Sequence, residues 1–109
     1  MRTAAERTVE HPSRQDLQLG EVLQALADPL RLQIVCTLAA SGTELSCSAF
    51  QLPVTKSTST HHFRVLREAG VVHQRYEGTA RLNALRREDL DAAFPGLLGS
   101  VLNAAHVRT

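Results

Sequence analysis

The sequence has no tryptophan and only four aromatic residues, three Phe and one Tyr, in 109 positions. Hydrophobic residues still make up 43%, so a core exists but must be built from Leu, Val, Ile and Ala. That palette suits a compact helical domain better than a sandwich of sheets. Cysteine is scarce: Cys36 and Cys47 alone cannot make a disulfide framework in the cytoplasm. No run of about eighteen apolar residues occurs, and none follows Met1-Arg2-Thr3-Ala4, so neither a membrane span nor a signal peptide is expected, and a cytoplasmic location is. A Gly-rich phosphate loop, a nucleophile elbow and paired acidic motifs outside helix caps are all missing, and no enzymatic activity is expected. The length fits one domain, residues 13–109, behind a mobile arm over residues 1–12.

Net charge is low as well, at +1, but it is unevenly spread. Residues 1–55 carry four Arg against six acids, and residues 88–109 one Arg against three acids. Residues 56–87 carry seven Lys and Arg against two acids, a net +5. Positive charge gathered in one segment is the footprint expected for a nucleic-acid partner.

That segment opens with Thr55-Lys56-Ser57-Thr58-Ser59-Thr60-His61-His62-Phe63-Arg64-Val65-Leu66-Arg67-Glu68-Ala69-Gly70. Thr55 can cap a helix and Gly70 can end it. At 100° per residue, Ser59, Phe63 and Leu66 share one side, while Ser57, Thr60, His61 and Arg64 share the other. Short hydroxyls, an imidazole and a guanidinium at i, i+3, i+4, i+7 suit a helix laid in the DNA major groove. Taken alone, the stretch fits a solvated surface helix equally well; the flanking segments decide between them.

Before it, Ser13 and Asp16 form a capping-box-like pair ahead of a helix whose apolar stripe is Leu19, Val22, Leu23 and Leu26. Asp28-Pro29 starts a second helix with the stripe Leu30, Ile34 and Leu38, ended by Ser41-Gly42. Ser46 can cap a short third helix, Cys47 to Leu52, which Pro53 stops. Helix, tight turn, helix over residues 46–69 is the helix-turn-helix pattern. After it, residues 71–76 and 81–85 alternate around Glu77-Gly78-Thr79, a hairpin that makes a wing, with Arg75 and Arg81 available to phosphates. A last helical region begins near Arg86 and breaks at Pro95-Gly96. Its second part, with Leu97, Leu98, Val101, Leu102 and Ala105, adds apolar surface to a core already nearly complete. The expected fold is therefore mainly α with a small β-hairpin, a winged helix-turn-helix. Leu19, Leu23, Leu97, Leu98, Val101 and Leu102 are the expected dimer contacts. Lys56, Ser57, Thr58, Thr60, His61, Arg64, Arg75 and Arg81 are the expected DNA contacts.

Residues 25–35, Ala-Leu-Ala-Asp-Pro-Leu-Arg-Leu-Gln-Ile-Val, and 65–72, Val-Leu-Arg-Glu-Ala-Gly-Val-Val, resemble two signature stretches of the ArsR/SmtB family of bacterial transcription regulators. The resemblance spans about residues 17–102. It implies a winged helix-turn-helix regulator that dimerises through its first and last helices and binds an inverted-repeat operator. It also implies that His62 takes a position in the recognition helix where the family often has histidine, with a packing or phosphate-contacting role, and leaves it a weak metal candidate. Many members bind thiophilic metals with a Cys-x-Cys pair after Glu-Leu. Here that segment is Glu44-Leu45-Ser46-Cys47-Ser48, with hydroxyls at both ligand positions, and hydroxyls do not replace thiolates for soft metals. The family's second metal site, on the last helix, is at best partial, since this chain offers Asp89-Leu90-Asp91 and a solitary His106.

What the protein senses rests on few residues. His11 and His106 flank the expected dimer helices and could meet across the seam, where imidazoles would suit nickel, cobalt or zinc. Cys36 reads as inert core, whereas Cys47 near a helix start could serve as a redox switch. A protein-interaction module, or a regulator dependent on a co-regulator, is the alternative from another functional class. No membrane partner is expected.

Overall fold

The computed structural model describes residues 9–107. Helix α1 (Leu19–Leu26) and helix α2 (Pro29–Ser41) are joined by the Ala27-Asp28 corner, where the Asp28 carboxylate accepts from the Leu30 and Arg31 N–H groups at 2.9 and 3.1 Å. Those N–H groups would otherwise lack partners, and Pro29 has none to satisfy. Gly42, at φ 66°, ends α2. Strand β1 (Leu45–Ser46) follows, then helix α3 (Lys56–Ala69), strands β2 (Val72–Glu77) and β3 (Ala80–Leu85), and helices α4 (Arg87–Ala93) and α5 (Leu97–Val107). The antiparallel sheet has the order β1-β3-β2, with Leu45 opposite Asn83 and Gln74 opposite Asn83 on the other side. Val22, Leu26, Ile34, Val35, Leu38, Phe63, Leu66, Val72, Leu90 and Leu98 are buried together between the helices and one face of this sheet. Among the described residues no single helix is long and apolar enough to cross a membrane.

Three local expectations are corrected. The pair Ser13 and Asp16 does bond, Oγ to Oδ2 at 2.9 Å, but it closes an isolated 3-10 turn, Arg14–Asp16; α1 starts only at Leu19, because Leu17 leaves the helical path to be buried. The third helix expected over Cys47–Leu52 shrinks to a 3-10 turn, Cys47–Ala49, and the residues before it pair as β1. Six residues closed off by Pro53 are too few to offset helix nucleation, whereas Leu45 and Ser46 gain ladder bonds. The wing thus gains a third strand.

Residues 1–8 of the expected mobile arm lie outside the described residues. Its end, at His11 and Pro12, contacts the domain. His11 Nε2 accepts from the Gln74 N–H at 2.9 Å, on the otherwise open edge of β2, and its ring stacks on His73 with centroids 4.2 Å apart. Arg86 Nη1 donates to the Pro12 carbonyl at 2.7 Å. This strap runs across the end of α3, where Gly70 (φ 86°) reverses the chain. The Gly70 and Val71 N–H groups bond the Arg67 and Leu66 carbonyls at 3.0 and 2.9 Å, a Schellman closure.

A Cβ on Gly70 would overlap the Leu17 Cδ2 methyl and stand 3.2 Å from Pro12 Cγ, in a backbone conformation that L-residues avoid. Gly70→Ala should therefore lower stability by about 1–3 kcal/mol, visible as a reduced midpoint in urea; an unchanged midpoint would show that the corner is not strained. His11 is held neutral: burial first, then the charges of His73, Arg86 and Arg67, lower its pKa from 6.5 to about 4. The folded chain binds this proton less readily than the unfolded chain, so the contribution is complete above pH 6.5 and is lost as pH falls toward 4. Stability toward urea should accordingly fall more steeply as pH drops through that window in wild type than in His11→Gln; parallel curves would contradict the strap.

Candidate nucleic-acid interface

Helix α3 presents two chemically distinct faces. Thr55 Oγ1 accepts from the Thr58 N–H at 3.2 Å and fixes the start. His62, Phe63, Leu66 and Ala69 are buried, and Phe63 meets Phe50 edge-on at 5.3 Å between centroids. Lys56, Ser57, Thr58, Thr60, His61 and Arg64 are all exposed. Phe63 and Leu66 of the side expected to pack are buried, and the side expected to donate is exposed.

The two histidines at the centre of the helix therefore part company. His61 faces out, while His62 Nδ1 lies 3.2 Å from Arg31 Nη1 and 3.9 Å from the Asp28 carboxylate. Arg31 also donates from Nε to the Ala25 carbonyl at 2.8 Å and from Nη2 to the Gln24 carbonyl at 3.3 Å. One guanidinium thus satisfies the end of α1 and ties both N-terminal helices to α3. The Arg31 N–H is also the main reason that the Asp28 carboxyl is held below the usual carboxylate range. Sequence reading missed this role for Arg31, although its place three residues after an N-cap aspartate was a usable signal.

On the wing, strand alternation separates the two arginines that sequence reading had grouped. Tyr76 and Arg81 are opposite one another and share the inner face with the buried pair Gln74 and Asn83. The Arg81 guanidinium lies 4.8 Å from the Tyr76 ring centroid and donates to the Tyr76 hydroxyl. Arg75 is on the outer face with His73 and Glu77. Its Nε and Nη2 donate to both Glu44 oxygens at 2.8 Å, and Nη2 also reaches Glu77 at 3.1 Å. This pairing with Arg75 holds the Glu44 carboxyl below its usual range and pushes the Arg75 pKa up. Arg75 is therefore a brace between the segment before β1 and the edge strand, with its charge already matched.

Inside the wing, Gln74 Nε2 donates to Asn83 Oδ1 at 2.7 Å, and Asn83 Nδ2 reaches the Leu45 carbonyl and Cys47 Sγ, both at 3.2 Å. These buried amides lock β1, β3 and β2 in register. Between the wing and the start of α3 runs a groove of about 620 Å³ that includes Ser46, Ser48, Lys56, Thr60, Tyr76 and Arg81 and, among the described residues, has no acidic residue in its lining. Two cations, several hydroxyls and a helix N-terminus make this concavity suited to anionic oxygen.

The remaining candidates fall elsewhere. His11 lies against β2, whereas His106 is exposed and borders α2. Among the described residues no three His, Cys, Asp or Glu side chains converge on one point. Leu19 and Leu23 are 47% and 44% exposed, open to a partner. Leu98, in contrast, is 2% exposed and belongs to the core of its own chain, with Leu97, Val101 and Leu102 packed partly against it.

A helix with one buried and one donor-rich face, preceded by a packed turn and followed by a three-stranded wing, defines a winged helix-turn-helix protein. A family described as a helix-turn-helix domain matches residues 26–75. The HTH-type transcriptional regulator YceK of Bacillus subtilis is 36% identical over 81 residues, covering 72% of this chain and 81% of that protein. Among solved structures, HlyU from Vibrio cholerae is 32% identical with a TM-score of 0.55, over 61% of this chain and 72% of that one. An ArsR family transcriptional regulator is 25% identical with a TM-score of 0.62, over 75% and 90%. The chain belongs to the winged helix-turn-helix transcriptional regulators, and the relatives found are regulators rather than enzymes.

Proposed function

We propose that this regulator is of the ArsR/SmtB kind and binds an inverted-repeat operator as a homodimer in the cytoplasm. The observation that carries the proposal is the exposed row Ser57, Thr60, His61 and Arg64 on a helix whose opposite face is fully packed. Such a helix can enter the major groove without giving up core contacts. Lys56 and Arg81, both in the lining of the groove beside α3, meet phosphates on either side of it. Arg75, paired with Glu44 on the other face of the wing, is left out of the DNA contact. The exposed Leu19 and Leu23 on α1, with Leu97, Val101 and Leu102 on α5, supply the seam between copies, which sets the half-sites about one helical turn, roughly 34 Å, apart.

A metal effector held by His11 and His106 requires His11 Nε2 to release the Gln74 N–H, so nickel, cobalt or zinc binding there would loosen the strap. Calorimetric titration of nickel should then give a signal in wild type that is absent in His11→Ala.

Gel shift with the DNA upstream of the gene tests the main proposal: specific retardation is expected, weakening steeply with salt. Arg64→Ala should weaken binding by about 1–3 kcal/mol, Arg81→Ala should lower the salt slope by about one, and Arg75→Ala should leave that slope unchanged. A slope lowered by Arg75→Ala but not by Arg81→Ala would reverse the faces of the wing.

A further inference from the structure

A second concavity, well apart from the groove beside α3, lies between α2 and α5 and has a volume of about 760 Å³. Leu32, Cys36 and Ala39 line it from α2, and Leu102, Ala105 and His106 from α5. Among the described residues no Asp, Glu, Lys or Arg takes part in the lining. Burial raises the Cys36 pKa, which keeps this thiol protonated and uncharged. The volume lies within the roughly 300–1,000 Å³ typical of small-molecule sites, which occur preferentially between packed helices. Among the described residues an ionised ligand would find no charged partner from Asp, Glu, Lys or Arg here, and burying an unpaired charge is costly. Of the leucines that suit a second copy, Leu19 and Leu23 on α1 do not border this space, while Leu102 on α5 borders it and is partly buried against the core of its own chain.

We infer that the cavity between α2 and α5 is an effector site for an uncharged, mainly apolar small molecule, whose hydrogen-bonding end meets the Cys36 thiol or the His106 imidazole. The route to DNA is short. Pro29 and Leu32 line the cavity, and between them in the same turn Arg31 reaches His62 of α3 and the carbonyls at the end of α1. A ligand that shifts the first turn of α2 must strain or relax that guanidinium, and so bias the placement of the DNA-facing helix relative to α1. Only this transmission rests on the DNA-binding role proposed above; occupancy of the cavity stands without it.

The test uses N-phenyl-1-naphthylamine, an uncharged apolar dye that brightens when it leaves water. Titrated into the full chain without DNA, it should bind saturably at one molecule per chain. Ala105→Trp and Ala39→Phe, which fill the cavity from opposite helices, should each abolish that binding while keeping the circular dichroism of wild type, and either folded variant is sufficient. Leu23→Gln should retain binding. In a gel shift the dye should change operator affinity about fivefold or more, and Arg31→Lys should bind the dye normally but lose this response. No saturable binding, binding unaffected by a folded cavity-filling variant, or loss of binding in Leu23→Gln would overturn the site. A full response in Arg31→Lys would overturn the route. Dye binding without any specific DNA retardation would leave the cavity established and remove the DNA-binding proposal instead.

Discussion

The reversal of the chain at Gly70 is the constraint on which the arrangement depends. Four separate elements meet there: the end of α3, the first wing strand, Leu17, and the strap that contains Pro12. A left-handed glycine lets the helix close its last carbonyls and lets the strand leave directly beside it. Because Leu17 and Pro12 fill the space that any side chain would need, the angle between helix and wing is set by packing rather than left to a flexible joint. A protein that reads DNA with a helix and a wing together needs that angle fixed before the encounter, since ordering it afterwards would lower affinity.

Rigidity on the inner face is achieved with little aromatic material. Phe63 and Phe50 supply one edge contact, and the rest is aliphatic packing supplemented by polar links. Arg31 joins the end of α1 to α3, and the Gln74 and Asn83 amides hold three strands in register. Burying such groups is costly unless they are bonded, and here the bonds are made while Gln74 Oε1 alone of these amide atoms is buried without a partner among the described residues. The same economy governs charge. Arg75 and Arg86 are both matched by carboxylates, so they contribute structure, whereas Lys56, Arg64 and Arg81 have no carboxylate partner among the ion pairs of the described residues. The unmatched positive charge of the basic segment is therefore smaller than its +5 suggests.

Most of the architecture was legible in the sequence, for reasons specific to particular residues. Asp28-Pro29, Gly42, Thr55 and Gly70 act through local backbone chemistry, so each boundary they mark coincides with its expected place. Strand alternation predicted the hairpin and, read further, would have separated Arg75 from Arg81. The failures all involve long-range partners. The Cys47–Leu52 helix gave way because β3 was available to pair with Leu45 and Ser46. The Ser13 box opened no helix because Leu17 had a buried site beside Gly70 to fill. His11 left the solvent for an open strand edge more than sixty residues away in the chain. No pattern within a short window carries that information. Leu98 shows the same limit, since an apolar stripe does not say which of two partners, its own core or another copy, will cover it.

The central claim is that one face of α3 and one face of the wing form a single DNA-binding surface. Amide chemical-shift mapping on titration with duplex DNA at low salt tests it directly. The account predicts that shifts concentrate at Lys56, Ser57, Thr60, His61 and Arg64 and at Arg81 near the tip of the wing. His73, Arg75 and Glu44 should stay unperturbed. Shifts gathered on that outer wing face, or along α5 with α3 silent, would contradict it.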